Sequence, residues 1–254
     1  MTLLRVRETG AGEPHLLLLH GLGATGDVWD GMLESAPDRW PGRVLAPDLP
    51  GHGRSAPLKR YSFDALAAEV AQTLDRDGPF VVLGHSLGGV IALALSGSRF
   101  GVQPAAVVGL GIKVTWSEED LARAEALAAR DVQWFDRYEE ALARHLRVSG
   151  LEGLVDGSHP AAIGGVRAVS GRYRLAFDNA AFGVGAPDMR VLLAAARCPV
   201  TLARGEGDAL NSDDELRDLV DEPVTLPGLG HNAHVESPVA VWSLLEPYAA
   251  DVLG

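Results

Sequence analysis

The segment Gly84-His85-Ser86-Leu87-Gly88, followed by Gly89, has the make-up of a turn that presents a nucleophile. An apolar run at 80–83 precedes it and an almost wholly apolar run at 87–96 follows it. These read as a buried strand and a buried helix, the context of a nucleophile elbow. A turn this tight projects a hydroxyl from the end of a sheet. It also presses its flanking positions against neighbouring backbone, which explains Gly84 and Gly88. A helix beginning at Leu87 aims its free N–H groups and its positive dipole end at the same point. That suits an oxyanion forming beside Ser86. The competing reading is a glycine-rich turn with an incidental serine. His85 adjoins Ser86, but neighbours on a tight turn point apart, so a packing role is expected for it.

A serine hydroxyl needs a base to take its proton, and that base is usually oriented by a carboxylate. After a nucleophile elbow the order along the chain is serine, acid, histidine. The apolar run 200–203 leads into Arg204-Gly205-Glu206-Gly207-Asp208. Asp208 is assigned as the acid, with Glu206 as its local rival, and Asp213 and Asp214 are expected to cap the next helix. The run 224–226 leads into Pro227-Gly228-Leu229-Gly230-His231-Asn232-Ala233-His234. His231 follows a glycine turn and is assigned as general base, then general acid. His234 is read as a supporting or structural histidine. A zinc site on His231, His234 and Glu236 lacks a further well-placed donor and does not match the His-Glu-x-x-His helix, so no metal is expected. No cofactor is expected either.

The run His20-Gly21-Leu22-Gly23 ends another apolar segment, 15–20. It offers the Leu22 N–H as a second oxyanion donor beside the Leu87 N–H. A plain strand-end turn would explain its glycines equally. In Asp48-Leu49-Pro50-Gly51-His52-Gly53-Arg54-Ser55 the acid and histidine look reactive in isolation, but a run rich in Pro and Gly more often fixes a tight turn.

The elements that must position these residues alternate. Short strands are expected at 3–7, 15–20, 43–46, 80–83, 105–112, 200–203 and 224–226. Helices are expected at 27–34, 62–75 (capped by Ser62), 87–96, 213–220 and 239–252, with Pro247 splitting the last. Strand–helix alternation implies a parallel sheet covered on both faces. The rhythm breaks from about 115 to 188. There a capping box, Ser117 to Asp120, opens a helix over 117–130, a second helix is expected over 132–148, and no core strand is evident.

The chain has 254 residues, and 22 Lys and Arg against 34 Asp and Glu give a net charge of −12. No basic footprint compensates it, which argues against nucleic-acid or anionic-membrane partners. Cys198 is the single cysteine, so no disulfide can form within the chain. It is read as a core thiol. The first ten residues hold no apolar leader segment, and the apolar run 16–19 is far too short to cross a bilayer. A soluble, cytoplasmic protein is expected.

Taken together, these segments resemble the α/β-hydrolase fold, in its lid-bearing form. They cover the chain from about His15 to Pro238. The resemblance implies a mostly parallel sheet of about seven to eight strands flanked by helices. It implies a core of 1–114 and 189–254, and a helical lid of 115–188. In that family the 48–55 run is structural. Only 14 residues precede His15, which favours seven strands. Ser86 sets the chain apart from family branches that use an aspartate nucleophile. The implied reaction is hydrolysis of a carboxylic ester of a small, largely apolar substrate through an acyl-enzyme on Ser86, His231 and Asp208. A lactone or thioester would use the same machinery. Carbon–carbon bond hydrolysis fits less well, since those relatives carry Asn at the place of His85 and Trp where this chain has Asn232. Acyl transfer, or a slow-turnover ligand receptor on the same fold, stays open. Trp116, Trp134, Phe135, Phe177 and Phe182 of the lid, and Trp29 after the oxyanion loop, are the candidate pocket walls, of which one or two are expected to touch substrate.

Overall fold

The computed structural model describes residues 4–74 and 78–251. Leu3, Asp75 and Val252, the outermost residues of three expected elements, lie outside them. The main sheet contains β1 (Val6–Thr9), β2 (His15–Leu19), β3 (Val44–Pro47), β4 (Phe80–His85), β5 (Ala106–Leu110), β8 (Val200–Gly205) and β9 (Val224–Leu226), in the order β1-β3-β2-β4-β5-β8-β9. Only β1 runs antiparallel, pairing with β3 from Val6↔Pro47 to Thr9↔Val44. Seven strands, mostly parallel, match the expected architecture.

Strands β2 to β5 are buried at every residue. That is why they read as unbroken apolar runs: a parallel sheet is covered on both faces. Alternate side chains feed two cores. Leu17, Leu19 and Val82 face the Phe63–Ala71 and Leu87–Ser96 helices. Leu16, Leu18, Val81 and Leu83 face Trp29, Met32, Trp40 and Trp242. Each fully buried leucine contributes roughly 1.5–3 kcal/mol of transfer free energy, so a one-residue register slip would exchange the two cores at large cost.

The strand order reverses at β2. The chain steps from β2 outward to β3, then returns to place β4 on the other side of β2. This opens a crevice at the carboxyl ends of β2 and β4, the usual place for a ligand in an open α/β sheet. The loop with Leu22 follows β2, and Ser86 follows β4.

Between β5 and β8 no residue joins the main sheet. The Glu118–Ala128 helix has the expected capping box: Ser117 Oγ accepts from Asp120 N at 3.1 Å, and Ser117 N donates to Asp120 Oδ2 at 3.1 Å. The next helix starts later than expected, at Tyr138, and ends at Ser149. Phe135 instead exchanges two backbone hydrogen bonds of 2.8 Å with Tyr173. A strand edge offered by tertiary structure outweighs the helical pattern there. That edge belongs to a hairpin the sequence reading lacked, β6 (Val166–Val169) with β7 (Arg172–Leu175). Its two-residue turn, Ser170-Gly171, has φ of 50° and 79°, and such a pair at positive φ matches the twist of a hairpin. The final helix is broken, as expected, into Pro238–Trp242 and Glu246–Asp251. The break precedes Pro247, which sits in the first turn of the second piece, where its missing N–H costs nothing. Among the described residues no helix is long and apolar enough to cross a membrane.

The 48–55 run braces the crevice from behind. Asp48 is buried and accepts from Gly26 N and Arg54 N, each at 2.9 Å, and from the Arg5 guanidinium at 3.4 Å. Ser55 Oγ donates to the Asp48 carbonyl at 2.7 Å. Leu49 N donates to His20 Nε2 at 2.9 Å. The replacement Asp48→Ala would strand the buried Gly26 N–H and the half-buried Arg54 N–H, while Arg5 would keep its 3.0 Å contact with Asp27. A stability loss of about 3 kcal/mol or more is expected in urea unfolding, and a loss under about 1 kcal/mol would show that this run is not a brace.

Candidate active site

Ser86 sits at φ 50° and ψ −114°, a conformation that costs a non-glycine residue about 1–3 kcal/mol and persists only where the surroundings enforce it. The enforcement is visible. A Cβ at Gly84 would lie 2.2 Å from the Gly88 carbonyl oxygen, and one at Gly88 would lie 2.2 Å from that of Leu19. Backbone from β4, the following helix and β2 therefore meets at a distance that excludes side chains. Ser86 N donates to Leu110 O at 2.8 Å, fixing the turn to the end of β5. Leu87 is the first residue of the helix, so its N–H has no intrahelical acceptor.

One residue past β5, Gly111 has φ +64°, and a Cβ there would lie 3.2 Å from both Asp208 Oδ2 and His231 Nδ1. Across this gap His231 Nδ1 and Asp208 Oδ2 are 3.0 Å apart. The Asp208 side chain is fully buried, while that of His231 is 26% exposed. Asp208 Oδ1 accepts from Leu210 N at 2.9 Å. Sequence reasoning missed the brace of this loop, Arg204. Its guanidinium donates to the carbonyls of Glu206 (3.0 Å) and Asp208 (2.9 Å), to Asn211 Oδ1 (2.9 Å), and to Asp213 Oδ1 (2.8 Å). Glu206 Oε2 accepts from Gly228 N at 2.9 Å and so ties two turns together instead of meeting His231. The cap of the next helix is Ser212, in a capping box with Glu215, whereas Asp213 and Asp214 occupy its first turn. The third member of the considered metal set, Glu236, accepts from Gly230 N at 2.8 Å. Asn232 Nδ2 donates to Gly150 O at 3.0 Å, joining the His231 loop to the end of the Tyr138–Ser149 helix.

A cavity of about 220 Å³ opens over Ser86. Leu22 and Leu87 line it, as do Phe63, Val90, Ile112 and Val184. Its charged members are already engaged: Lys113 with Asp120 at 2.8 Å, and Arg123 with Glu119 at 2.8 Å. Of the aromatic candidates, Trp116 and Phe182 are on the wall. The others are elsewhere. Trp29 is fully buried in the opposite core, its ring 4.4 Å from that of His234. Phe135 pairs with the hairpin, Trp134 is exposed beneath Arg172 and Arg174, and Phe177 packs between His52 and Phe182. The missed wall residues Asp120, Arg123, Ala124 and Leu127 recur at i, i+3, i+4 and i+7 of one helix, a spacing that marks a single face.

A model described as the alpha/beta hydrolase family matches residues 16–244. The chain is 30% identical, over 257 residues, to a 2-succinyl-6-hydroxy-2,4-cyclohexadiene-1-carboxylate synthase of Klebsiella pneumoniae, covering 96% of this chain and 98% of that protein. It spans only 57% of the like-named synthase of Serratia proteamaculans, at 35% identity over 152 residues. It spans 37% of the lipase LipV of Mycobacterium tuberculosis, at 37% identity over 99 residues. The solved structure of E-2-(acetamidomethylene)succinate hydrolase superposes with a TM-score of 0.80 at 25% identity, covering 98% of this chain and 96% of that one.

Beneath the Ser86 turn lies a layer of buried histidines. His85 Nε2 is 2.9 Å from the His231 carbonyl oxygen, and its ring packs at a tilt against those of His231 (centroids 4.6 Å apart) and His234 (4.4 Å). His20 and His52 meet edge-on at 5.1 Å. Burial lowers the pKa of His20 to about 4 and those of His52 and His234 to about 3. Burial, then the proximity of His234 and His231, lowers that of His85 as well. All four stay neutral in the fold, yet would protonate near pH 6.5 once unfolded. The unfolded chain therefore binds more protons below about pH 6.5, and stability falls as the pH drops from there towards 4. Urea unfolding should lose about 3 kcal/mol or more between pH 7 and pH 5; a flat profile would show that these rings do not resist protonation.

Proposed function

The chain belongs to the α/β-hydrolase family, as an enzyme of its serine-esterase type, and on that premise we propose that it cleaves a carboxylic ester of a small, largely apolar substrate through an acyl-enzyme on Ser86. The observation that carries this reading is the Asp208–His231 contact held beside the strained Ser86 turn at one sheet edge. Asp208 accepts from His231 Nδ1–H and leaves Nε2 free to act as base. Ser86 Oγ gives its proton to His231 and bonds to the substrate carbonyl carbon. The N–H groups of Leu22 and Leu87 receive the oxyanion. As the tetrahedral adduct collapses, His231 returns the proton to the leaving oxygen and the ester C–O bond breaks. Water, deprotonated by His231, then releases the acid and restores Ser86. Segment 115–188 acts as the lid over a core of 1–114 and 189–254, and contributes Trp116 and Phe182 to the acyl pocket.

Lactones and thioesters would follow the same steps. The similarity to synthases offers a second reading. The compound in their name carries a carboxylate and a succinyl group, which call for cations facing the nucleophile. Here Lys113 and Arg123 already pair with Asp120 and Glu119, and Val90, Ile112 and Val184 supply an apolar wall. That pocket favours ester cleavage.

A fluorophosphonate probe should label the wild type and not Ser86→Ala, and short-chain p-nitrophenyl esters should be hydrolysed. An unlabelled, inactive wild type would sink the hydrolase reading. His231→Ala should lower kcat by about 10⁴-fold or more. If His234→Ala were inactive and His231→Ala active, the base would have been misassigned.

A further inference from the structure

The lid hairpin places Arg167 of β6 directly opposite Arg174 of β7. Like charges facing one another across an antiparallel pair are destabilising. The chain has carboxylates to spare, 34 acids against 22 bases. Yet among the described residues neither arginine has a carboxylate at ion-pair distance: Arg167 donates to the Gly53 carbonyl oxygen, and Arg174 lies 5.9 Å from the centre of the Trp134 ring. Both line a cavity of about 210 Å³ between the hairpin and the turn at 51–57. The acid on that wall, Asp178, is committed, accepting from the Tyr61 hydroxyl at 2.8 Å and from Ala180 N at 3.1 Å. Burial, and after it the nearness of Arg174, depresses the Arg167 pKa; Arg54 acts in the same sense and Asp48 against it.

This cavity is the last of a row. It shares Val132 and Phe177 with a smaller cavity of about 80 Å³. That one shares Leu127 and Phe182 with the cavity over Ser86. Arg130 and Arg144 stand on the middle wall, with Asp131 as the acid among them. The row thus runs from an apolar chamber with internally paired charges to a chamber with two unpaired, opposed cations. A group that relieves both cations at once carries two negative charges and presents oxygens to two guanidinium forks, which describes a phosphate monoester.

We propose that the Arg167–Arg174 cavity is an anion site for the terminal phosphate of a long leaving group, so that the cleaved ester or thioester lies along the three adjoining cavities with its acyl part at Ser86. The position of the scissile bond rests on the hydrolase reading above; the anion site does not. Calorimetric titration with 4′-phosphopantetheine, pantetheine and inorganic phosphate separates the two. The phosphorylated arm should bind wild type at least about tenfold more tightly than either of the others, and Arg174→Gln should abolish that preference. Arg174→Gln removes a repulsion, so its melting temperature should not fall, and p-nitrophenyl acetate hydrolysis should stay within about twofold of wild type. Equal binding of pantetheine and its phosphate, or no binding of either, would overturn the proposal. Binding of inorganic phosphate as tight as that of the phosphorylated arm would overturn its leaving-group half. If wild type fails to cleave p-nitrophenyl acetate, the hydrolase reading falls and the titration still decides the anion site.

Discussion

Three stretches of backbone meet behind Ser86 at a separation that admits no side chain. The carbonyls of Leu19 and Gly88 occupy the space where β-carbons at 88 and 84 would stand. This approach forces the serine into its positive-φ turn and starts the Leu87–Ser96 helix immediately after it. It also brings the loop after β2 against the turn. Much of the crevice follows from it. The hydroxyl must leave the sheet edge, the helix N–H groups must point beside it, and β5 must end where Ser86 N can reach Leu110 O. The strain at Ser86 is balanced by a core whose strands are apolar along their whole length, so the local cost is spread over a large buried surface.

The second constraint is the empty place at Gly111. The Asp208 carboxylate and the His231 ring meet across it. They come from the ends of β8 and β9, which are neighbours in the sheet, so parallel strands deliver both loops to one edge. Arg204 then ties the acid-bearing loop to itself through four acceptors, and Asn232 ties the histidine-bearing loop to the lid. The histidine layer below is neutral and closely packed. It fills space under the turn with polarisable rings without placing a charge there.

The lid shows a division of charge that the net value of −12 conceals. Around Ser86 the cations are paired with acids of the same helix or its approach. On the hairpin Arg172 pairs with Asp136, but Arg167 and Arg174 face each other with no carboxylate at ion-pair distance among the described residues. A substrate that met both chambers would place its apolar part at one end and its anionic part at the other.

The local turn geometry was legible in the sequence because it depends on short-range contacts. A glycine-flanked serine between two apolar runs implies one kind of turn, and the boundaries of the Leu87–Ser96 helix and of β9 agree with the spacing alone. The order of Ser86, Asp208 and His231 likewise follows from strands that alternate with helices. Other features needed the folded chain. Arg204 reads as one more loop cation until its four acceptors surround it. Trp29 looks like a pocket wall by its nearness to Leu22 in sequence, but the start of the next helix turns it into the opposite core. The 132–137 stretch has a helical pattern, and the edge of β7 draws Phe135 alone into backbone pairing, with Tyr173. Position along the chain decides backbone turns, whereas contacts between segments distant in sequence decide which side chains face a common space. The opposed arginines and the row of cavities therefore exist only in the tertiary structure.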